Sequence, residues 1–230
     1  MNLNTINIKR TNLNDDVYSI IKNKIQLRKI KPGDHIFLRN LAKELNVSLT
    51  PIQYALGQLE VEGLVKRIPK KGVIVVGISK KDISEIIDTR LLVEKYACKI
   101  AIKSVYYKKM INKISQINDK MKIFVNKDSF VDFEKYVSLD LSFHQSIVKM
   151  SGNKKLLELY NYIELQMHII RIFYSKFRGV NRAQELIKEH DDILMALKEK
   201  NSKKAENAIK IHLQNTKKAL LKVKDIPDFL

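Results

Sequence analysis

The chain has 230 residues, 45% of them hydrophobic, with only seven Gly and four Pro; that is enough apolar side chain for a core and too few turn formers for an all-β or α/β fold. Its 43 basic and 25 acidic residues give a formal net charge of +18, a field that favours polyanions, nucleic acid first among them. A single cysteine, Cys98, excludes an internal disulfide and a multi-thiolate zinc site, and the absence of a long apolar run or of a signal-peptide core points to a cytoplasmic protein with no membrane partner.

The basic excess is broad. Residues 1–78 hold 13 basic and 6 acidic residues, and 79–230 hold 30 and 19, so charge alone singles out no segment. Turn formers do divide the chain. Pro32, Gly33, Pro51, Gly57, Gly63, Pro69, Gly72 and Gly77 all fall before residue 78, and only Gly152, Gly179 and Pro227 follow. A compact mixed module over 1–78 followed by an all-helical one over 79–230 is the simplest division, with the boundary near Gly77–Lys80.

In the first module, Asn14 or Asp15 is placed to cap a helix running to Arg28, with Val17, Ile20, Ile21 and Ile25 on one face. Lys31-Pro32-Gly33-Asp34 reads as a turn. A short helix follows over Leu38–Leu45. Thr50 is expected to cap a third helix, with Pro51 at its first position and Gly63 just past its end at Glu62. Two β-type runs, Leu64–Ile68 and Val73–Ile78, are joined by Pro69-Lys70-Lys71-Gly72. Three helices and then a hairpin with a basic tip make a winged helix-turn-helix. Such a module lays its second motif helix in the major groove. Ser48, Thr50 and the helix N-terminus suit phosphate, Gln53 suits adenine, and Tyr54 is exposed beside it. Lys70 and Lys71 at the wing reach backbone or minor groove, and Arg39 on the preceding helix is a further contact.

The second module reads as six helices: Lys80–Val105, Lys108–Asn126, Phe130–Met150, Lys154–Phe177, Arg182–Lys200 and Lys203–Val223. Ser79 with Asp82, then Asp128 or Ser129, Asn153, and Asn201 or Ser202 are the expected caps. Short connections between helices predict an antiparallel bundle. The fold class is therefore mainly α, a winged helix-turn-helix followed by an antiparallel six-helix bundle.

Asp140 and His144, four apart, share a face of the third bundle helix. His190 and His212 sit among apolar neighbours on the last two. One carboxylate and three imidazoles suit a divalent transition metal, Zn, Ni, Mn or Fe, rather than Ca or Mg. On spacing alone, buried histidines satisfied by hydrogen bonds are the competing and simpler reading, and His168 reads as a surface or packing residue. Catalysis finds little support: there is no HExxH glutamate, no nucleophile elbow and no phosphate-binding glycine loop, so a metal-dependent hydrolase is a remote alternative.

The segment NVSLTPIQYALGQLEVEGLVKRIPKKGVIVV resembles the DNA-binding domain of GntR-family bacterial transcription regulators, through Val47, Ser48, Thr50, Pro51, Ala55, Leu56, Leu59, Glu60, Gly63, Leu64 and the wing residue Gly72. Arg39 matches the family's arginine on the preceding helix. The family's arginines at the positions of Leu49 and Gln53 are absent, which implies weaker guanine contacts. DTRLLVEKYACKIA, DLSFHQSIVKMSGNKKL, EHDDILMAL and IHLQNT resemble the FCD ligand-binding domain of the FadR subgroup, in its shorter, VanR-like branch. This resemblance implies a metal held by Asp140, His144, His190 and His212 and a small organic acid, a carboxylate effector, in the same cavity. Arg90 matches the family's arginine, and either pairs with that carboxylate or makes an ordinary salt bridge with Glu94. Arg171 and Tyr174 are further candidates for the effector. The resemblance also implies a homodimer, joined in part by the first and fourth bundle helices, on an inverted-repeat double-stranded operator. A sensor whose effector is the metal ion itself uses the same residues.

Overall fold

A computed structural model describes residues 11–27, 29–69, 72–126, 129–174 and 179–223, with backbone alone at 11–12 and 172–174. Two compact units meet between Gly77 and Ile78.

The first unit runs α1 (Thr11–Gln26), β1 (His35–Ile36), α2 (Leu38–Leu45), α3 (Leu49–Val61), β2 (Val65–Ile68) and β3 (Gly72–Val75). α1 already includes Thr11, Asn12 and Leu13, so neither Asn14 nor Asp15 caps it. Its buried stripe is Val17, Ile21 and Ile25, while Ile20 lies 41% exposed at the edge of that stripe. Asn46 takes φ 52 after α2, a left-handed value that asparagine tolerates better than most side chains. There the N–H groups of Asn46 and Val47 return to Lys43 and Ala42 carbonyls. Gly63, φ 75, closes α3 in the same way, with Gly63 and Leu64 donating to Glu60 and Leu59; both are Schellman closures. Ser48, not Thr50, occupies the N-cap of α3. Pro51 therefore sits third in the helix rather than first, still within the turn whose N–H groups have no helical partner. Ile52, Ala55, Leu56 and Leu59 are fully buried beneath α3. The sheet order is β1-β3-β2, antiparallel throughout. β1 was not foreseen: two residues paired to β3 leave no alternation to read.

The second unit comprises α4 (Lys80–Ala101), α5 (Tyr107–Ile123), α6 (Phe133–Met150), α7 (Lys154–Tyr174), α8 (Gly179–Lys198) and α9 (Ser202–Leu221). These six helices of the described residues form the bundle. Ser79 and Asp82 form a reciprocal capping box at α4. Asn153 Oδ1 accepts from Leu156 N, and Asn201 Oδ1 from Lys204 N, each at 3.0 Å. The expected start of α6 was wrong: Asp132, rather than Asp128 or Ser129, caps it through Lys135 N at 3.0 Å. Asn126 Oδ1 instead accepts from Ser129 N at 2.7 Å, a local turn that lets Val125 and Phe130 pair as a β-bridge and delays the helix. Asp128 itself lies outside the described residues. α4 packs on α6, α7 and α9, and α5 on α6 and α8. Its buried stripe of Ile83, Ile87, Val93, Ala97, Cys98 and Ala101 is interrupted by two charged residues, Arg90 and Glu94, both fully buried. A charged pair in the middle of an apolar stripe marks where the bundle holds polar chemistry.

Candidate functional sites

Three imidazoles meet inside the bundle. His144 from α6, His190 from α8 and His212 from α9 are each at most 1% exposed, with candidate ligand nitrogens all within 4.8 Å of one another. His144 Nε2 and His190 Nε2 are 3.1 Å apart. Asp140, one turn before His144, places Oδ1 3.4 Å from His190 Nε2 and 3.9 Å from His144 Nε2. Asp140 is thus beside the cluster, with its other oxygen, Oδ2, paired to Arg171 of α7.

Two glutamates hold the ring orientations. Glu94 Oε2 accepts from His144 Nδ1 at 2.7 Å, and Glu189 Oε2 accepts from His212 Nδ1 at 2.8 Å. Each carboxylate fixes the proton on Nδ1 and turns the Nε2 lone pair inward, as the outer partner of a metal-bound histidine does. Glu94 is held in turn by Arg90 Nε and by Tyr160, whose hydroxyl donates at 3.1 Å. Arg182 holds Glu189 through two bonds of 2.8 and 3.0 Å, and Asn215 adds a third at 2.9 Å. Glu189, Tyr160 and Arg182 escaped the sequence reading, and Glu94 entered it only as the neighbour of Arg90. The one local signal was a glutamate inside the apolar stripe of α4.

Burial pushes the His144 imidazole well below its ordinary pKa, with the nearby Arg90 charge adding to it, and pushes His190 down to about 3. Both rings are neutral rather than cationic. Burial alone would raise the carboxyls of Asp140 and Glu189. The Arg171 guanidinium outweighs it at Asp140, holding that carboxyl below its usual range, and hydrogen bonds from His212 and Arg182 bring Glu189 to about 2. The site therefore presents two anionic carboxylates close to the neutral rings of His144 and His190.

One pair of these nitrogens has the spacing of two ligands on a divalent transition ion. Two nitrogens bound to one such ion at about 2.1 Å lie about 3.0 Å apart at a right angle and about 3.4 Å apart at the tetrahedral angle; the observed separation is 3.1 Å. His190 Nδ1 is buried with no hydrogen-bond partner, while its Nε2 is within hydrogen-bonding distance of His144 Nε2, so one of its two nitrogens is left unsatisfied. With Nδ1 protonated, its Nε2 lone pair faces those of His144 and Asp140, an arrangement that a cation relieves.

Beside the imidazoles a cavity of about 20 Å³ is lined by Arg90, Asp140, Arg171, His212 and Thr216, room for about one water. Arg90 makes the salt bridge with Glu94 through its Nε, while its Nη1 and Nη2 have no hydrogen-bond partner. Arg171 Nη1 and Thr216 Oγ1 are likewise buried and unpartnered. Unused donors from two guanidiniums converging on one small cavity suit an oxyanion. Tyr174 ends α7, and its side chain lies outside the described residues; His168 is half-buried and apart from the histidine cluster.

On the first unit, Ser48 at the N-cap of α3 and Thr50, Gln53 and Tyr54 on that helix all lie exposed, and Arg39 is exposed on α2. Gln58 Nε2 donates to the Tyr54 hydroxyl at 2.9 Å. Gly72 opens β3 at φ 87, while the wing-tip candidates Lys70 and Lys71 lie outside the described residues.

Residues 13–75 match the family model of bacterial regulatory proteins of the gntR family, and residues 85–215 match the FCD domain. The chain is 27% identical over 198 residues to the HTH-type transcriptional regulator YdhC of Bacillus subtilis, covering 86% of each chain. It is 24% identical to the gluconate operon transcriptional repressor of the same organism, covering 75% of this chain and 70% of that one. The solved structure of Escherichia coli McbR/YncC superposes with a TM-score of 0.64 at 21% identity, covering 90% of this chain and 96% of the other; it shares the fold. The paired matches, in this order and spanning both units, make the chain a transcription regulator of the GntR family, in the branch that carries an FCD domain.

Proposed function

We propose that this regulator changes its operator affinity in response to a small carboxylate bound at a metal site in the helical domain. The observation that carries this reading is the pairing of inward-facing imidazoles with the unpartnered guanidinium donors of Arg90 and Arg171 around one cavity. Asp140, His144, His190 and His212 would hold the ion, which supplies Lewis acidity toward an outside oxygen. Arg90 and Arg171 orient the carboxylate. With Asp140 and Glu94 already neutralised by these arginines, a divalent ion leaves the cup positive, and an anion balances it. The operon named for the gluconate repressor fits an acid as effector in this branch.

The helical unit joins two copies in the cytoplasm, so that two reading heads meet an inverted repeat. Exposed Leu92 and Tyr96 on α4 and Leu159, Tyr162 and Leu165 on α7 support an apolar interface there, since those helices pack side by side. The effector acts by its unequal affinity for the two arrangements of the heads. No enzymatic step is assigned.

The small cavity favours a second reading, in which the ion itself is the effector. Elemental analysis of the purified protein, followed by operator titrations with metal and acid varied separately, decides between them. Acid-dependent release at constant metal supports the first reading, and metal-dependent release without acid the second. Protein purified without metal and unable to take up Zn, Ni, Mn or Fe overturns both.

A further inference from the structure

In a chain of which 30% of residues are charged, Leu45 to Leu59 contains no charged residue at all. This stretch includes all of α3 except its last turn, the helix whose solvent side carries the reading residues. Such a face is not a solvated surface of the usual kind. Leu49 is 40%, Tyr54 46% and Val61 84% exposed, and Thr50 and Gln53 lie among them. The cations of this unit stand outside α3. Arg39 and Lys43 lie on α2 and Lys66 and Arg67 on β2, all exposed, with Arg67 already tied to Glu60 at 2.9 Å.

Gly57 adds an independent observation. It lies in mid-helix, where glycine weakens the fold, one turn beyond Gln53 on the same side. A Cβ built there meets nothing within 4 Å, so packing inside the unit does not require glycine. A bare backbone on an exposed helix face is what close approach to another surface requires.

Base chemistry then selects the partner. Guanine offers two acceptors in the major groove and is read by arginine or lysine; adenine offers one acceptor and one donor and matches a carboxamide; thymine offers a methyl group. A helix with no cation has no strong guanine reader. It has one free carboxamide, Gln53, and an apolar surface in Leu49, the Thr50 methyl and the Tyr54 ring. Gln58 donates to the Tyr54 hydroxyl, which fixes that ring and leaves its proton for a phosphate or base acceptor. We infer that α3 reads an A·T half-site, with Gln53 on adenine and Leu49 with Thr50 on the thymine 5-methyl group, Gly57 allowing the helix to sit close to the base edges. This inference rests on the chain being a DNA-binding regulator and names the sequence class it reads.

The test uses the full-length chain and a randomised duplex library to select a consensus. Each thymine in a half-site is then replaced by deoxyuridine, which removes the methyl and keeps every hydrogen-bonding group. At one thymine or more, affinity should fall about fourfold, the worth of one buried methyl. That loss should disappear in Leu49→Ala, whose side chain is not part of the core. Gln53→Ala should lose affinity about tenfold and relax the adenine preference at one position. Gly57→Ala should be at least as stable to heat as the parent and bind the selected duplex more weakly. A half-site consensus dominated by G·C pairs overturns the inference, as does indifference to deoxyuridine at every thymine. Failure to select any duplex, with no salt-sensitive binding to long DNA, overturns the regulator reading as well, whereas strong binding without an A·T preference overturns only the inference.

Discussion

Glu94 holds His144 by its Nδ1 at 2.7 Å, and the same carboxylate takes the Nε of Arg90 one turn earlier on α4. One side chain therefore links the candidate metal site to the candidate anion site. Replacing it by Gln keeps the shape but removes the charge, and the amide can present its N–H₂ to His144 and favour the wrong tautomer. Glu94→Gln should weaken zinc binding by about 10- to 100-fold, the usual effect of losing an outer carboxylate. Competition with a fluorescent chelator measures it. Unchanged affinity in a folded variant would show that Glu94 serves Arg90 alone.

Arg171 and the candidate ion share Asp140. In the absence of metal the guanidinium is the cation beside this carboxylate, and both groups are buried. Removing one partner of such a pair commonly costs about 3–5 kcal/mol. Arg171→Gln should accordingly unfold at a lower temperature than the parent in chelator, and the gap should narrow when zinc is added, because a divalent ion supplies the missing positive charge. Calorimetry with and without metal checks this. Equal destabilisation in both conditions means that Asp140 does not face the ion.

The sign of the pH dependence follows from the depressed values. In chelator, His190 stays neutral in the fold down to about 3, whereas the unfolded chain protonates near its ordinary value of about 6.5. Between those limits the unfolded state binds more protons, so stability falls as pH falls. Glu189, at about 2 in the fold, extends the loss below its ordinary value of about 4.3. Denaturant midpoints for the helical unit should therefore decline from about pH 6.5 downward, first through imidazoles and then through carboxylates. A midpoint that holds steady from pH 7 to 5 contradicts neutral burial of His190.

What was legible in the sequence is what is local. Ser79 and Asp82 lie three residues apart, and their capping box is as the spacing predicts. Asp140 and His144 share a helix face because they are four apart. The start of α6 was ambiguous for the opposite reason: Asp128, Ser129 and Asp132 can all cap, and only the Asn126–Ser129 turn decides among them. The partners that orient the site were beyond reach. Glu94 and His144 are 50 positions apart, and Glu189 and His212 are 23 apart; nothing in the periodicity of α4 or α8 says which helix each carboxylate meets. β1 was hidden likewise, since His35 pairs with Ile74 across the length of the module.

Asn46 sets the turn that aims α3. Its left-handed φ of 52 lets Val47 N–H return to the Ala42 carbonyl at 3.0 Å, closing α2 one residue before the chain turns toward Ser48. A residue with an ordinary Cβ pays about 1–2 kcal/mol for that conformation, and glycine pays none. Asn46→Ala should therefore destabilise the first unit by about 1 kcal/mol, and Asn46→Gly should be near neutral in stability. The two variants also separate stability from aim. Glycine keeps the turn but adds freedom to the unfolded chain, so its operator affinity should match the parent at temperatures well below unfolding. Alanine should lose affinity wherever the α2–α3 turn shifts. Urea titration of the two variants, with duplex binding measured at low temperature, gives both numbers, and an Asn46→Ala protein as stable as the parent would mean the left-handed turn is not what closes α2.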